Sequence, residues 1–215
     1  KRTNREKIYC EIPYDDMLIS RDITLCSGEY QIKDDTSGIL EWAANDVTLK
    51  CNNTIINGST STATTWGIDM DIYNNSVVDG CTLAEVLVGV NFKRAHNNLI
   101  KNVRIINNSK GGTNYGIYIT QSLNNTIDNL FYTNTEGAAT LAYGVYATTN
   151  SNWTAIKNSN ITSYENSASH AVYLTSGCNW CNVTNNSIVL NGTGTKYGVY
   201  VEGQAAIVSG NFIYD

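Results

Sequence analysis

The sequence predicts an all-β solenoid in which short parallel strands coil around a single core. One observation is a recurring phrase, written "YGVY" at 143–146 and 197–200 and "YGIY" at 115–118. Another is the alternation of aliphatic residues with polar or aromatic residues inside and after each phrase. A third is the asparagine that recurs at similar offsets further on. Patterns that repeat together in this way are typical of stacked supersecondary units.

The composition is that of a packed β protein with a polar, weakly charged surface. The 215 residues suffice for one domain with a sizeable core, and 42% of them are hydrophobic. Only 15% are charged, proline occurs once, and asparagine occurs 29 times. Regular isoleucine, valine and tyrosine distinguish the chain from a low-complexity polar tract, which would bury too little apolar surface to fold.

Charge and hydropathy exclude two classes of partner. The formal net charge is −5 and no basic cluster occurs beyond the first seven residues, so we expect no nucleic acid partner. No stretch approaches the roughly 20 apolar residues of a transmembrane helix, so we expect no membrane span.

A small residue defines the start of each repeat. These anchors are 22 to 29 residues apart, which predicts about seven coils. They are Gly38, Gly67, Gly89, Gly116, Gly144, Ala171 and Gly198. We therefore predict a β-helix over 38–215 and an N-terminal capping or assembly segment over 1–37.

The first strand of each coil follows the anchor. After Gly116, Ile117 and Ile119 alternate with Tyr118, which predicts one face in the core and one outside. The outward position holds Tyr118, Tyr146, Tyr173 and Tyr200 in successive coils. A second aromatic column stands just before the anchor and comprises Trp66, Tyr115, Tyr143, His170 and Tyr197.

Two shorter strands complete each coil. The second carries one inward aliphatic residue, such as Ile127, and the third carries another inward residue, such as Ile161. Glycine or asparagine stands between these two strands and marks a sharp corner, because both enter the left-handed region at little cost. The corner column is Gly80, Asn102, Asn129, Asn158, Asn185 and Gly210.

Coiling explains why identical residue types recur one full repeat apart. Each strand can pair in parallel with its equivalent about 4.8 Å away, so that like side chains stack. No 3.6-residue periodicity supports a helical repeat, and antiparallel hairpins would need Asn-Gly turns at each reversal. The pattern is that of a right-handed parallel β-helix with three short strands per coil.

The recurrent rows of the form GVY…N-x-T-I…N…I…N resemble a known family. They are similar to the parallel β-helix repeats of the pectin-lyase-like superfamily, specifically NosD-like and related secreted prokaryotic, often archaeal, surface proteins. The resemblance covers roughly residues 38–215, and the earlier "ITLCSGEYQI" resembles the start of such proteins. It implies the fold, whereas the family is functionally broad and implies little about activity.

Six cysteines, an even number without a clear metal pattern, predict disulfides in an oxidising compartment. Cys51 and Cys81 fall near the same corner of successive coils, and stacked positions lie within disulfide range. The "CNWC" motif is interpreted as a local disulfide, with free thiols or metal ligation as the alternatives. The predicted pairs are Cys10–Cys26, Cys51–Cys81 and Cys178–Cys181.

Ten Asn-x-Ser/Thr sequons favour a secreted, glycosylated protein. The alternative is that stacked asparagine and threonine create these triplets incidentally. The sequon asparagines are Asn52, Asn57, Asn74, Asn107, Asn124, Asn152, Asn160, Asn182, Asn185 and Asn191. The chain begins at Lys1 rather than methionine, which fits a processed protein, and we predict an extracellular or cell-surface location.

Candidate catalytic residues are few. Asp69 and Asp71 in "GIDMDI" point to the same face, and polysaccharide hydrolysis needs two carboxylates at a fixed separation. Neighbouring coils add no matching acid, so we interpret the two as solvated strand residues and weak catalytic candidates. Enzymatic activity is left open but is not favoured. No cofactor fingerprint, phosphate loop or metal-binding cluster occurs, so we expect no cofactor and no metal.

The outward tyrosines have two interpretations. They stabilise adjacent coils by stacking, or they offer a flat contact surface to sugar rings or to another protein. His170 occupies a slot that holds tyrosine in neighbouring coils, which favours aromatic stacking over metal ligation.

The function predicted first is structural, as a glycosylated subunit of a cell-surface layer or extracellular filament. The last coil, from Gly198 to Asp215, has no cap, and truncation, a further domain or end-to-end self-association would each explain this. The initial "KRTNREKIY" would then pair with a neighbouring copy as an added strand. The alternative is a carbohydrate-binding or carbohydrate-active β-helix, similar to lyases or hydrolases, that uses the tyrosine column or the Asp69 and Asp71 carboxylates. Scarce histidine and methionine argue against a NosD-like role in a metal pathway.

Overall fold

A computed structural model describes the chain at residues 9–33, 38–58, 66–106, 112–134, 139–164 and 168–215. These residues form three sheets of eight strands each and contain no helix. Accordingly, no helix long and apolar enough to span a membrane occurs within these ranges.

The strands are numbered in chain order, and each coil contributes one strand to each sheet. The first sheet contains β1 (Met17–Ile19), β4 (Leu40–Trp42), β7 (Trp66–Asp71), β10 (Val88–Lys93), β13 (Gly112–Thr120), β16 (Ala139–Thr148), β19 (Ala168–Leu174) and β22 (Thr195–Val201). The second contains β2 (Ile23–Leu25), β5 (Thr48–Cys51), β8 (Val77–Asp79), β11 (Leu99–Lys101), β14 (Thr126–Asp128), β17 (Ala155–Lys157), β20 (Asn182–Thr184) and β23 (Ile207–Ser209). The third contains β3 (Gly28–Gln31), β6 (Thr54–Asn57), β9 (Thr82–Ala84), β12 (Arg104–Ile106), β15 (Phe131–Asn134), β18 (Asn160–Tyr164), β21 (Ser187–Asn191) and β24 (Phe212–Tyr214).

Every strand pairs in parallel with the equivalent strand of the next coil. Tyr118 of β13, for example, pairs with Asn91 of β10 on one side and with Tyr146 of β16 on the other. The predicted parallel β-helix with three strands per coil is therefore confirmed. The eight strands per sheet are close to the seven predicted coils, and the additional coil, β1–β3, lies ahead of Gly38. Residues 1–8 lie outside the described residues, so a capping or assembly role for 1–37 stays a prediction.

Columns of aliphatic side chains fill the interior. In the second sheet the register aligns Val78, Ile100, Ile127 and Ile156, and all four are fully buried. Tyr132 takes the place of an aliphatic residue in the column of the third sheet and is also fully buried. Burial of each such aliphatic side chain contributes about 1.5–3 kcal/mol relative to exposure. The alternation read from the sequence therefore separated core from surface correctly.

The anchor glycines lie where adjacent coils and the third sheet approach closely. A Cβ added to Gly116 would lie 2.4 Å from the carbonyl oxygen of Gly144 in the next coil and 2.6 Å from the ring of Tyr132. A side chain there would force the coils apart, which explains why the repeat begins on a residue without one. Ala171 is the one anchor in the described coils from Gly67 onwards that carries a methyl group.

The corner between the second and third strands has left-handed backbone, as predicted. The φ angles lie between 54° and 79° along the column of Gly80, Asn102, Asn129, Asn158, Asn185 and Gly210. The side chains also form ladders, since Nδ2 of Asn129 donates a 2.8 Å hydrogen bond to Oδ1 of Asn102 in the preceding coil. One such bond is worth about 1 kcal/mol net.

A second ladder runs along the turn before the second strand. Oδ1 of Asn74 accepts a 2.6 Å hydrogen bond from the N–H of His96, and Nδ1 of His96 accepts a 2.9 Å bond from the N–H of Leu123. Oδ1 of Asn152 likewise accepts from the N–H of Asn179 at 2.8 Å. His96 thus takes the role that asparagine has in neighbouring coils, and its function is structural.

All six cysteines form disulfides, in the pairs expected from the sequence. The Cα atoms are 4.8 Å apart in Cys10–Cys26, 4.7 Å apart in Cys51–Cys81 and 6.1 Å apart in Cys178–Cys181. The Cys51–Cys81 bond joins adjacent coils and closes a separation of 30 residues. Loop-closure entropy gives it a stabilising contribution of about 3–4 kcal/mol.

A charge in the core column should unfold the stack, whereas the same charge one residue away should be tolerated. We expect Ile127→Asp to destabilise the protein by at least about 4 kcal/mol, because an unpaired carboxylate would enter the core. Thr126→Asp, on the same strand with its side chain outward, should cost less than about 1 kcal/mol. Denaturant unfolding followed by circular dichroism measures both. Native-like stability of Ile127→Asp would show that the side chain of residue 127 does not point into the core.

Candidate functional site

Two columns of aromatic side chains cover the outer face of the first sheet. The register aligns Tyr118 with Tyr146, Tyr173 and Tyr200, as predicted. Successive ring centroids in this column are 5.7, 5.6 and 4.5 Å apart, and the ring planes lie within 24° of each other. The residues before the anchor align in the same way, and the centroids of Tyr115 and Tyr143 are 5.4 Å apart.

The two columns also pack against each other. Tyr115 and Tyr118 are three residues apart, so a regular strand would place them on opposite faces. Their rings are nevertheless in contact, with centroids 5.0 Å apart, because the alternation changes at Gly116. We call the resulting surface the aromatic plate. It comprises Tyr115, Tyr118, Tyr143, Tyr146, His170, Tyr173, Tyr197 and Tyr200.

Burial favours the neutral forms of two members of the aromatic plate. Burial raises the pKa of Tyr115 to about 12 and lowers the pKa of His170 below its usual value of 6.5. His170 contacts the rings of Tyr143, Tyr173 and Tyr197, which confirms the stacking role expected for it. The plate presents ring edges and phenol hydroxyls, and at its last coil the hydroxyl of Tyr200 donates a 3.2 Å hydrogen bond to the Glu202 carboxylate.

The plate ends abruptly at a groove. In β10 the two column positions hold Val88 and Asn91 instead of aromatic residues, and in β7 they hold Trp66 and Asp69. A groove of about 490 Å³ opens at this point. It is lined by Trp66, Leu87, Val88, Asn91, Lys93, Tyr115, Tyr118 and Thr120.

The two candidate carboxylates stand beside this groove in different surroundings. Nδ2 of Asn91 donates a 2.7 Å hydrogen bond to Asp69, and burial raises the pKa of Asp69 to about 6 against the lowering effect of that bond. Asp71 instead accepts two 2.9 Å hydrogen bonds from Nη2 of Arg94 and lies 3.5 Å from Nζ of Lys93. Asp71 is thus held in ion pairs with both cations.

One further acid does extend this cluster, because Glu41 of β4 pairs with Asp69 in the register. The expectation that neighbouring coils add no matching acid is therefore wrong. Asp79 lies on the second sheet, where its carboxylate is 3.1 Å from Nζ of Lys101. Across the part of the chain that the structure describes, no three His, Cys, Asp or Glu residues are grouped so that they could hold a metal ion.

The described sequon asparagines all lie on the surface or at its edge, and none is buried. Asn107 lies outside the described residues, as does Ser59 of the sequon at Asn57. Several of these amides already take part in ladders, as at Asn124, whose Nδ2 donates to Asn97 at 2.9 Å. Glycosylation at these residues stays a prediction.

The sequence reasoning missed a second aromatic feature, at the turn after the first sheet. Trp153 and Trp180 stack with centroids 5.3 Å apart and planes 10° apart, and each is 49% exposed. Their φ angles are 56° and 54°, a region that bulky residues rarely adopt and that asparagine occupies at Asn97 and Asn124. The signal was present, since tryptophan replaces asparagine in this column of the repeat.

The comparisons with known proteins agree with this architecture. The sequence matches the family described as "Right handed beta helix region" over residues 31–188. A search of curated proteins found no match.

Solved structures with a similar fold include the tailspike protein of E. coli bacteriophage HK620. A point mutant in complex with a pentasaccharide has a TM-score of 0.55 and 14% identity, covering 93% of this chain and 42% of the tailspike chain. A double mutant has a TM-score of 0.56 and 15% identity, covering 90% and 44%. A further tailspike complex with a pentasaccharide has a TM-score of 0.53 and 14% identity, also covering 90% and 44%. The chain spans less than half the length of these tailspikes, and identity this low supports similarity of fold alone.

Ionisation of Asp69 should oppose folding. The pKa of Asp69 is about 6 in the folded protein and 3.8 in an ordinary carboxyl. The protonated carboxyl therefore favours the folded state, and this contribution to the free energy of unfolding is complete below about pH 4 and is lost as the pH rises through 6. We expect Asp69→Asn, which still accepts the hydrogen bond from Asn91, to be about 1–2 kcal/mol more stable than wild type at pH 8. At pH 3.5 the two should be equal within error.

Denaturant titrations at the two pH values measure this difference. The matched control is Asp128→Asn, because Asp128 is a half-buried carboxylate that is paired with Lys157 at 3.3 Å. That variant should show no gain at pH 8. If Asp69→Asn were equally stable or less stable than wild type at pH 8, Asp69 would not be a carboxyl whose charge the fold disfavours.

Proposed function

This chain belongs to the right-handed β-helix family, and we propose that it is an extracellular protein that binds neutral carbohydrate on the outer face of its first sheet. The observation that carries the proposal is the aromatic plate, which spans four coils and ends at the groove beside Trp66. Aromatic surface that is apolar in its body and polar at its hydroxyls suits sugars, which present both C–H faces and hydroxyl groups.

The charge distribution favours a neutral ligand. Lys93 lines the groove, but its ammonium lies 3.5 Å from the carboxylate of Asp71, and Arg94 is bound to the same carboxylate. The two cations are balanced by the two carboxylates of Asp71 and Asp69, so this group has no net positive charge to attract an acidic ligand, while the plate offers contact area and hydroxyl groups.

Similarity to the tailspike supports the same class of ligand. The HK620 tailspike was solved in complex with a pentasaccharide, and its fold resembles that of this chain over most of the chain's length. We do not extend the proposal to hydrolysis or lyase chemistry, because the second candidate carboxylate, Asp71, is engaged by two cations.

Removing rings from the aromatic plate should weaken glycan binding without unfolding the rod. We expect wild type to retain a subset of neutral glycans on a glycan array, and Tyr118→Ala/Tyr146→Ala to weaken that binding by at least about tenfold. Phe131→Ala is the matched control, since Phe131 lies on the third sheet, where its ring contacts the Arg104 guanidinium. Full retention of binding by the double variant would contradict a role for the plate.

We propose a structural role in a cell-surface layer or filament as the second candidate function. It is supported by the contacts that join adjacent coils, such as the 2.8 Å hydrogen bond from Nδ2 of Asn129 to Oδ1 of Asn102 and the Cys51–Cys81 disulfide. A rod whose coils are joined in this way resists unwinding, which suits a structural element.

A structural subunit of this kind should self-associate. Sedimentation velocity over a range of concentrations should show assemblies that grow as concentration rises. Monomers alone at millimolar concentration would remove the structural candidate.

A further inference from the structure

We propose that the groove at Val88 is a slot for one neutral pyranose ring, held between the side chains of Trp66 and Tyr115. This inference rests on the proposed carbohydrate function and deepens it by naming the subsite and the kind of sugar. Sugar would bind at the one coil where the aromatic column is broken, at Val88, as well as on the plate itself.

The register defines the interruption. Val88 of β10 pairs with Trp66 of β7 on one side and with Tyr115 of β13 on the other. From Tyr115 onwards the same position is aromatic in every coil, through Tyr143 and His170 to Tyr197. Val88 is thus the one aliphatic member of the column between Trp66 and Tyr197.

The spacing of coils sets the width of the slot. Adjacent strands are about 4.8 Å apart, so Trp66 and Tyr115 belong to strands about 10 Å apart. A ring in van der Waals contact with a partner on each face needs about 8 Å between those partners. Within the plate, neighbouring rings have centroids 4.5–5.7 Å apart, so each coil already accommodates one ring. The coil of β10 lacks its own ring, and a sugar ring would fill that place.

Polar groups stand where the hydroxyls of such a sugar would lie. Val88 is 6% exposed and Asn91 3% exposed, and both line the groove together with Lys93 and Thr120. The Asn91 amide is fixed by its 2.7 Å hydrogen bond to Asp69. Fixed donors and acceptors beside an aromatic wall are the arrangement by which pockets orient a polar ligand.

The charges around the slot select against acidic sugars. Asp69 lies beside the groove, Glu41 pairs with Asp69 in the register, and Asp71 is on the same strand face. The cations that face this group, Lys93 and Arg94, are both engaged by Asp71. Lys93 and Arg94 only balance the charges of Asp69 and Asp71, so a uronate carboxylate in the slot would add an excess negative charge, and a neutral sugar is favoured.

Filling the slot with a protein side chain tests the inference directly. Val88→Tyr places in this coil the residue that the column holds at Tyr115, Tyr143 and Tyr197, so the fold should tolerate it. We expect that variant to lose affinity for neutral pentasaccharides of glucose, mannose or galactose by at least about tenfold, measured by calorimetry against the members that wild type binds. Leu99→Tyr, which adds an outward tyrosine to the same coil on the second sheet, should bind as wild type does. Pentagalacturonic acid, the acidic comparison, should bind less tightly than the neutral sugars.

The outcomes separate this inference from the proposed function. If Val88→Tyr binds as tightly as wild type while Tyr118→Ala/Tyr146→Ala does not bind, the slot is wrong and the plate binds sugar elsewhere. If wild type binds neutral glycans on the array but none of these pentasaccharides, the slot is wrong, and if it binds no neutral glycan at all, both proposals fail. Tighter binding of pentagalacturonic acid would overturn the preference for neutral sugars. Should Val88→Tyr fail to fold by circular dichroism, Trp66→Leu removes one wall instead, and unchanged affinity in that variant would overturn the slot.

Discussion

In-register parallel pairing is the constraint on which the rest of this molecule depends. Each strand hydrogen bonds to its equivalent one coil away, so every side chain lies beside the side chain that occupies the same position in the next repeat. Like residues therefore form continuous columns, whether of aliphatic groups in the core, asparagine amides at the corners, half-cystines or aromatic rings. A column is stable when each side chain packs against, or hydrogen bonds to, the side chains above and below it. Where one member of the column differs, the surface at that coil has different chemical properties.

The sequence predicted the fold well because columns are visible as repeats. The corner asparagines and the inward residues such as Ile127 recur with every coil, and the structure buries or bends them accordingly. The first coil was missed because β1–β3 lacks the YGVY phrase, and because strands as short as Met17–Ile19 carry little periodic signal. Residues that replace a column member without breaking it, such as His96 in an asparagine ladder, could be explained only once their hydrogen bonds were known.

The site was predicted only in part, since its properties arise between coils. The tyrosine column was predicted from the sequence. The contact between Tyr115 and Tyr118, however, depends on a break at Gly116 in the alternation of inward and outward side chains, and the sequence pattern does not predict that break. The environment of Asp69 likewise depends on Asn91, its partner one coil away. The groove was missed because Val88 looks like an ordinary strand residue in the sequence. Only the register shows that Val88 lies between two aromatic side chains, Trp66 and Tyr115, and so leaves a gap in the column.

The stacked indoles of Trp153 and Trp180 connect two adjacent coils at a single exposed point. Two parallel chromophores at 5.3 Å couple electronically, so the pair gives this one coil boundary an optical signature distinct from that of the chain's other two tryptophans. Separation of these coils would remove the coupling even if both halves of the rod kept their strands. The protein thus contains an intrinsic local probe, with which partial unwinding of a solenoid can be distinguished from its global unfolding.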